Sequence, residues 1–150
     1  MEAIIFVGAQ ASGKSTFYKE RFFRTHLRLS LDMLRTRHRE DVLLRACLEA
    51  KQPFVVDNTN PTAADRAKYV RLAKAAGFRV VADYFATSVA EALRRNAARA
   101  GKERVPEVAV RATLRKVEPP SPAEGFDAVY SVTIDEAGEF VVEEWSGGAP

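Results

Sequence analysis

With 150 residues, 47% of them hydrophobic and 29% charged, the chain has the composition of an ordinary globular protein and the length for one core. No apolar run is long enough to span a bilayer and no charged-then-apolar leader opens the sequence, so a cytoplasmic protein without a membrane partner is expected. A single cysteine, Cys47, excludes an internal disulfide and a cysteine metal cluster, and its helical apolar surroundings point to a buried, inert thiol. The net charge of +3 hides a division. Residues 117–150 hold eight acids and no Lys or Arg, so the first 116 carry all 23 bases against 12 acids, a surplus of eleven. Such asymmetry suggests a face that meets polyanions, nucleotide phosphates among them.

Ile4 to Val7 is a short apolar, partly β-branched run that reads as a buried strand. Gly8-Ala9-Gln10-Ala11-Ser12-Gly13-Lys14-Ser15 follows and fits G-x-x-x-x-G-K-[ST] at every fixed position. The glycines let successive N–H groups converge on one anion, and the helix that starts near Gly13 adds its positive end. Lys14 would reach the β- and γ-phosphates and Ser15 would ligate Mg²⁺. The cradle for ATP, or another nucleoside triphosphate, is Gly8, Ala11, Ser12, Gly13, Lys14, Ser15 and Thr16. A strand-to-helix turn carrying a chance Lys-Ser is the alternative.

Ser15 to Arg24 should form the first helix. Leu27 to Leu31 alternates as a second strand, with Asp32 at its end, where a parallel sheet presents functional groups. A helical pattern runs from Asp32 to Lys51 with a break near Arg39. Pro53 to Asp57 is a third strand, closed by the turn and capping cluster Asn58-Thr59-Asn60-Pro61. Thr62 to Ala76 is an alanine-rich helix stopped by Gly77. Phe78 to Phe85 is a fourth strand, and Ser88 caps a helix to Ala100. A polar loop, 101–105, leads to a helix from Pro106 to Lys116. Alternating runs at Ala128 to Ile134 and Glu139 to Trp145 flank a turn and predict a hairpin. The tail, 146–150, should fray. Strands alternating with helices predict an α/β fold, a parallel sheet with helices on both faces plus the C-terminal β-hairpin, in one domain over residues 1–150.

Phosphoryl transfer needs a cradle, a metal, cations around the equatorial oxygens and a group that orients the nucleophile. Asp32 is the candidate for the last role, because a carboxylate at a strand end facing the phosphate loop accepts a hydroxyl proton. Capping the following helix is the competing role. Arg35, three residues on, would share its helix face, beside the acceptor or in a surface ion pair. Asp57 ends an apolar strand in the setting of a Walker-B acid and is the second metal-side candidate, orienting Mg²⁺ through water; turn capping is again the alternative. Between Arg94 and Lys116 lie eight bases and two acids. Arg95 and Arg99 would share a face just before the polar loop, as part of a basic lid over ATP phosphates or as a solvated surface. His26 and His38 have no partners at metal-ligand spacing and read as surface residues, and Trp145 reads as packing.

Leu31-Asp32-Met33-Leu34-Arg35, Val55 to Pro61, Arg94 to Arg99 with Arg104-Val105-Pro106, and Glu124-Gly125-Phe126 together resemble the P-loop kinase domain of the 5′-hydroxyl polynucleotide kinases. The resemblance covers about residues 3–127. It implies that Asp32 is the general base for a 5′-OH end of DNA or RNA and that Arg35 contacts the acceptor phosphate. It further implies that Arg95 and Arg99 neutralise ATP phosphates, and it places Asp32, Arg35, Asp57, Asn58 and Thr59 around the acceptor. No phosphatase, ligase or adenylation segment lies within these residues, and the acidic hairpin has no counterpart in that family. Zeta-toxin-like and small-metabolite kinases share the loop and an acid, and a non-catalytic NTP-binding switch shares the loop alone.

Overall fold

The structure, a computed structural model, describes residues 1–145; the expected frayed tail lies outside the described residues. β-branched and aromatic runs form six strands: β1 Glu2–Val7, β2 Leu27–Leu29, β3 Phe54–Val56, β4 Arg79–Tyr84, β5 Ala128–Ile134 and β6 Phe140–Glu144. They lie in one sheet in the order β2-β3-β1-β4-β5-β6. All neighbours are parallel except the C-terminal hairpin β5–β6, which is antiparallel. The α/β fold, parallel sheet and hairpin expected from the pattern are therefore present.

The helices are α1 Lys14–Arg21, α2 Leu31–Leu34, α3 Arg37–Ala50, α4 Ala63–Ala75, α5 Val89–Ala97 and α6 Glu107–Lys116. Strand alternation sends Ile4, Phe6, Val55 and Val81 to one face, where Phe17 and Tyr18 of α1 cover them. Ala3, Ile5, Phe54 and Val56 go to the other face, beneath Leu44 and Cys47 of α3 and Tyr69, Val70 and Ala73 of α4. Phe6, with no exposed area, meets Phe17, Phe22 and Phe85 at centroid separations of 4.9–6.1 Å. Burying such a ring stabilises the fold by about 2–3 kcal/mol. Cys47 is buried and free, and burial raises its thiol pKa, in keeping with an inert residue.

Neighbouring strands β1 and β3 send their chains to opposite faces, β1 into α1 and β3 into α4. Their carboxyl ends thus open a crevice at the switch point of the sheet, where α/β proteins bind ligands. The phosphate loop, Asp57 and α2 all sit on that edge.

Four of the boundary differences from the pattern bear on the site. The long helix after β2 breaks at Arg35, not near Arg39: Arg35 takes a left-handed φ of 76°, and Thr36 restarts the helix by accepting a hydrogen bond from Arg39 N–H. Arg35 is therefore the C-cap of α2, and the helix-face argument that paired it with Asp32 does not apply. Helix α1 stops at Arg21, because Phe22 turns back onto Phe6 and Phe17. Strand β2 stops at Leu29, and Ser30 is already the N-cap of α2. Helix α5 ends at Ala97, so Arg99 lies in the turn beyond it and does not share a helix face with Arg95.

Candidate active site

The loop between β1 and α1 is fixed from several sides. Gly8 N–H donates to the Thr59 carbonyl at 3.0 Å, which ties the start of the loop to the turn after β3. A side chain at Gly8 would put its Cβ 2.9 Å from the Phe85 Cβ, so the close approach admits only glycine. Gly13 has φ +95°, and a Cβ there would press on Ile134 and Phe140 at 3.2 Å. The hairpin β5–β6 thus packs directly against the phosphate loop, a structural place for the acidic C-terminal strands.

Lys14 is buried, and its ammonium donates to the carbonyls of Gly8 at 2.9 Å and Ala9 at 2.7 Å. Burial lowers its pKa from 10.5 to about 8; Asp57 and Asp32 oppose that shift and Arg99 adds to it. Three other candidate residues, Asp32, Asp57 and Arg99, thus act electrostatically on Lys14. Inside the same loop the Ser12 hydroxyl and Gln10 Oε1 are buried with no hydrogen-bond partner. Of the two, the Ser12 hydroxyl is a free donor that suits a phosphate oxygen, whereas Gln10 Oε1 only accepts.

Asp57 is 5% exposed at the end of β3. Its Oδ2 accepts hydrogen bonds from Ser15 Oγ at 3.0 Å and from Arg28 Nε at 2.8 Å, and Arg28 Nη2 donates to Ser15 Oγ at 3.0 Å. Asp57 caps no helix; Thr62 does that, in a capping box with Asp65. A hydroxyl and a carboxylate oxygen at this spacing are a hard donor pair that fits Mg²⁺ completed by phosphate oxygens and water. Among the described residues no group of three His, Cys, Asp or Glu could hold a metal.

Asp32 is exposed in the first turn of α2 and is not its cap: Ser30 occupies that position, without a side-chain hydrogen bond. The alternative role for Asp32 therefore falls away. Its placement comes from a buried polar network. Asn58 Oδ1 accepts from Leu31 N–H at 2.9 Å, and Asn58 Nδ2 donates to Glu40 Oε2 at 2.8 Å. Glu40, with no exposed area, also accepts from Tyr69 Oη at 2.7 Å and Arg37 Nη1 at 3.1 Å. Both ends of the Asn58 amide are thus engaged within the protein. Asn60 donates to the Phe6 carbonyl at 2.8 Å, and its own carbonyl accepts from Arg66, which also forms two 2.9 Å bonds with Glu124.

Arg35 is exposed beside α2, and Thr16 is exposed on the first turn of α1. Arg95 donates to Glu91 at 2.6 Å and lines a cleft of about 310 Å³ with Ser12, Thr87, Ser88 and Ile134. The basic loop 101–105 is anchored at its end, where Asn96 donates to the Val105 carbonyl at 2.6 Å and accepts from its N–H at 2.9 Å. Among histidines, His38 is exposed as expected, but the His26 side chain is 9% exposed and contacts Glu2 at 2.9 Å. Trp145 packs edge-on against Tyr84. No helix among the described residues is long and apolar enough to cross a membrane.

The sequence reading did not single out Arg28, Glu40 or Arg66. Arg28 alone left a trace, as the basic residue between Leu27 and Leu29, whose alternation turns it toward α1.

The family model AAA_33, an AAA domain, matches residues 35–120, which is more than half of the chain. The chain belongs to the AAA_33 family. The match begins downstream of the phosphate loop, so the loop motif is an observation independent of it. The bifunctional polynucleotide phosphatase/kinase of Schizosaccharomyces pombe is 27% identical over 138 residues, 87% of this chain and 33% of that protein. The chain thus spans about a third of the length of that relative. Among solved structures, Chaetomium thermophilum Kti12 in complex with ADP-AlF3 superposes with a TM-score of 0.66 at 19% identity, over 91% of this chain and 92% of that one. A Sinorhizobium meliloti gluconokinase gives 0.61 at 19% identity, over 88% and 82%. These likenesses place this AAA_33 chain in the P-loop kinase fold.

Proposed function

We propose that this chain is a phosphotransferase that moves the γ-phosphate of ATP to the 5′-hydroxyl end of DNA or RNA. The observation that carries the reading is Asp32: an exposed carboxylate at the switch-point edge, relieved of capping, near enough to Lys14 to act on its charge. The polynucleotide kinase named among the relatives supports this acceptor, and the surplus of bases in the first 116 residues agrees with a polyanion.

In this reading the loop N–H groups, the Ser12 hydroxyl and Lys14 hold the triphosphate. Ser15 and Asp57 would hold Mg²⁺, which when bound supplies positive charge to the β- and γ-phosphates. Asp32 takes the proton of the 5′-OH as its oxygen bonds to the γ-phosphorus. The bond from that phosphorus to the β-bridging oxygen breaks, and ADP leaves. Lys14, Arg95 and Arg99 offset charge on the transferring group, most strongly as it develops. Arg35 holds a phosphate of the acceptor strand, and the turn with Asn58 and Thr59 borders it.

The acceptor is tested by steady-state kinetics on a 5′-OH oligonucleotide at saturating ATP and several salt concentrations. Counterion release predicts that log KM rises with log salt by about 0.7 for each phosphate contacted on a single strand. Arg35→Ala raises KM and lowers that slope by about one contact's worth, whereas Arg95→Ala and Arg99→Ala lower kcat and leave it. A salt-independent KM, or faster turnover of a neutral sugar, refutes the polynucleotide acceptor.

A further inference from the structure

Arg28 bridges Ser15 and Asp57, the two groups that the proposed function gives to Mg²⁺. Its guanidinium donates through Nε to Asp57 Oδ2 and through Nη2 to Ser15 Oγ, while the Ser15 hydroxyl donates to the same carboxylate oxygen. The three groups close a triangle with sides of 2.8–3.0 Å. In it the Ser15 oxygen is engaged both as donor and as acceptor, so it has little left to offer a cation. The guanidinium also lies 6.0 Å from the centre of the Tyr18 ring, whose hydroxyl is held by the His26 carbonyl at 2.5 Å. Tyr18 is on α1 and Arg28 on β2, so the arginine is steered from two elements. Its side chain is 26% exposed, against 2% for Asp57, which leaves it a way out toward solvent.

We infer that Arg28 is the resident cation of the metal seat, and that a divalent ion enters by displacing it from Ser15 and Asp57. This rests on the nucleotide reading of the site and adds to it a residue that sets metal dependence. The charge on Asp57 is compensated in either state, by the guanidinium or by the ion. That arrangement avoids a bare buried carboxylate in the nucleotide-free protein, which would be costly. Because the ion must replace an existing charged hydrogen-bond pair, Arg28 weakens the coupling between metal and nucleotide.

The test is calorimetry with the non-hydrolysable analogue AMP-PNP, in EDTA and in saturating Mg²⁺, and the readout is the ratio of the two Kd values. Arg28→Met keeps the aliphatic length and the contact with Tyr18 but removes the charge. It should enlarge the ratio about tenfold, the scale of one charged hydrogen bond discounted for partial exposure. Arg28→Lys keeps a charge but loses the two-pronged grip, so it should shift the ratio in the same direction by less; it also serves if the methionine variant does not fold. Asp57→Asn should bring the ratio close to one in either background. A ratio unchanged or reduced in both Arg28 variants overturns the inference while leaving the nucleotide reading intact. Failure of the wild-type protein to bind AMP-PNP in either buffer overturns both.

Discussion

Glu40→Ala tests whether the candidate site is held from below by the buried network. Glu40 has no exposed area, and its two carboxylate oxygens accept from Tyr69 Oη, Asn58 Nδ2 and Arg37 Nη1. Arg37 is 62% exposed and finds water when the carboxylate is removed, but Tyr69 is only 1% exposed. Two inward-facing donors, on Tyr69 and Asn58, then lose their partner at about 1–3 kcal/mol each. With the cavity left by the side chain, the expected loss is about 3–5 kcal/mol. For a chain of this length that is a fall in Tm of roughly 10 °C. Urea denaturation and thermal melting read the loss directly, and Glu40→Gln, which keeps the volume and one acceptor, should lose less. At a temperature where Glu40→Ala is still folded, its kcat should also fall, because Asn58 no longer holds Leu31 N–H beside Asp32. A loss under about 1 kcal/mol, below the cost of one stranded donor, refutes the reasoning.

Lys14→Met tests the cost of the buried ammonium. The folded pKa, about 8, lies below the ordinary 10.5, so the burial penalty is present below pH 8 and relieved as pH rises toward 10.5. Wild-type stability should therefore gain a rising contribution between pH 8 and 10.5, and Lys14→Met, which also strands the Gly8 and Ala9 carbonyls, should lose that contribution together with ATP binding; a pH profile over that window identical in the two proteins contradicts the burial cost. Asp83, 4% exposed beneath α1, has its pKa raised to about 7 by burial and by Glu2, with Arg21 opposing. The native state then holds more protons than the unfolded chain between pH 4 and 7, and stability falls as pH rises through that window. Asp83→Asn should flatten this fall and raise the pH 8 melting temperature, and an unchanged pH profile refutes the assignment. Asp32→Asn should lower kcat by roughly 10²–10⁴-fold, as for loss of a general base, with Tm unchanged because Asp32 caps nothing; a fully active variant excludes the proposed base.

What the sequence made legible is what is local in the chain. The phosphate loop is eight consecutive residues whose types define its shape, and β3 announces itself by Phe54-Val55-Val56 with Asp57 next. Ser88 was readable as a cap because the residue it holds, Glu91, is three positions on. The break at Arg35 was misplaced, since it depends on Thr36 competing for Arg39 N–H, and helical periodicity does not register that competition. The proposed metal seat was half visible: Ser15 and Asp57 carry recognisable contexts, but Arg28 joins them only once β2 is seated beside β3. Glu40 reads as one more charge on a helix until Asn58, eighteen residues later, closes on it. Arg66 and Glu124, 58 residues apart, are likewise a product of the fold.

The central claim, that this chain carries a γ-phosphate to a 5′-hydroxyl end, is tested most directly by incubating it with γ-labelled ATP, Mg²⁺ and a 5′-OH oligonucleotide. A 5′-phosphorylated oligonucleotide and neutral sugars serve as competing acceptors. The account predicts label on the 5′-OH strand alone, lost with Lys14→Ala and with Asp32→Asn. Label on a sugar in preference to the strand, or label on the strand that survives Asp32→Asn, would contradict it.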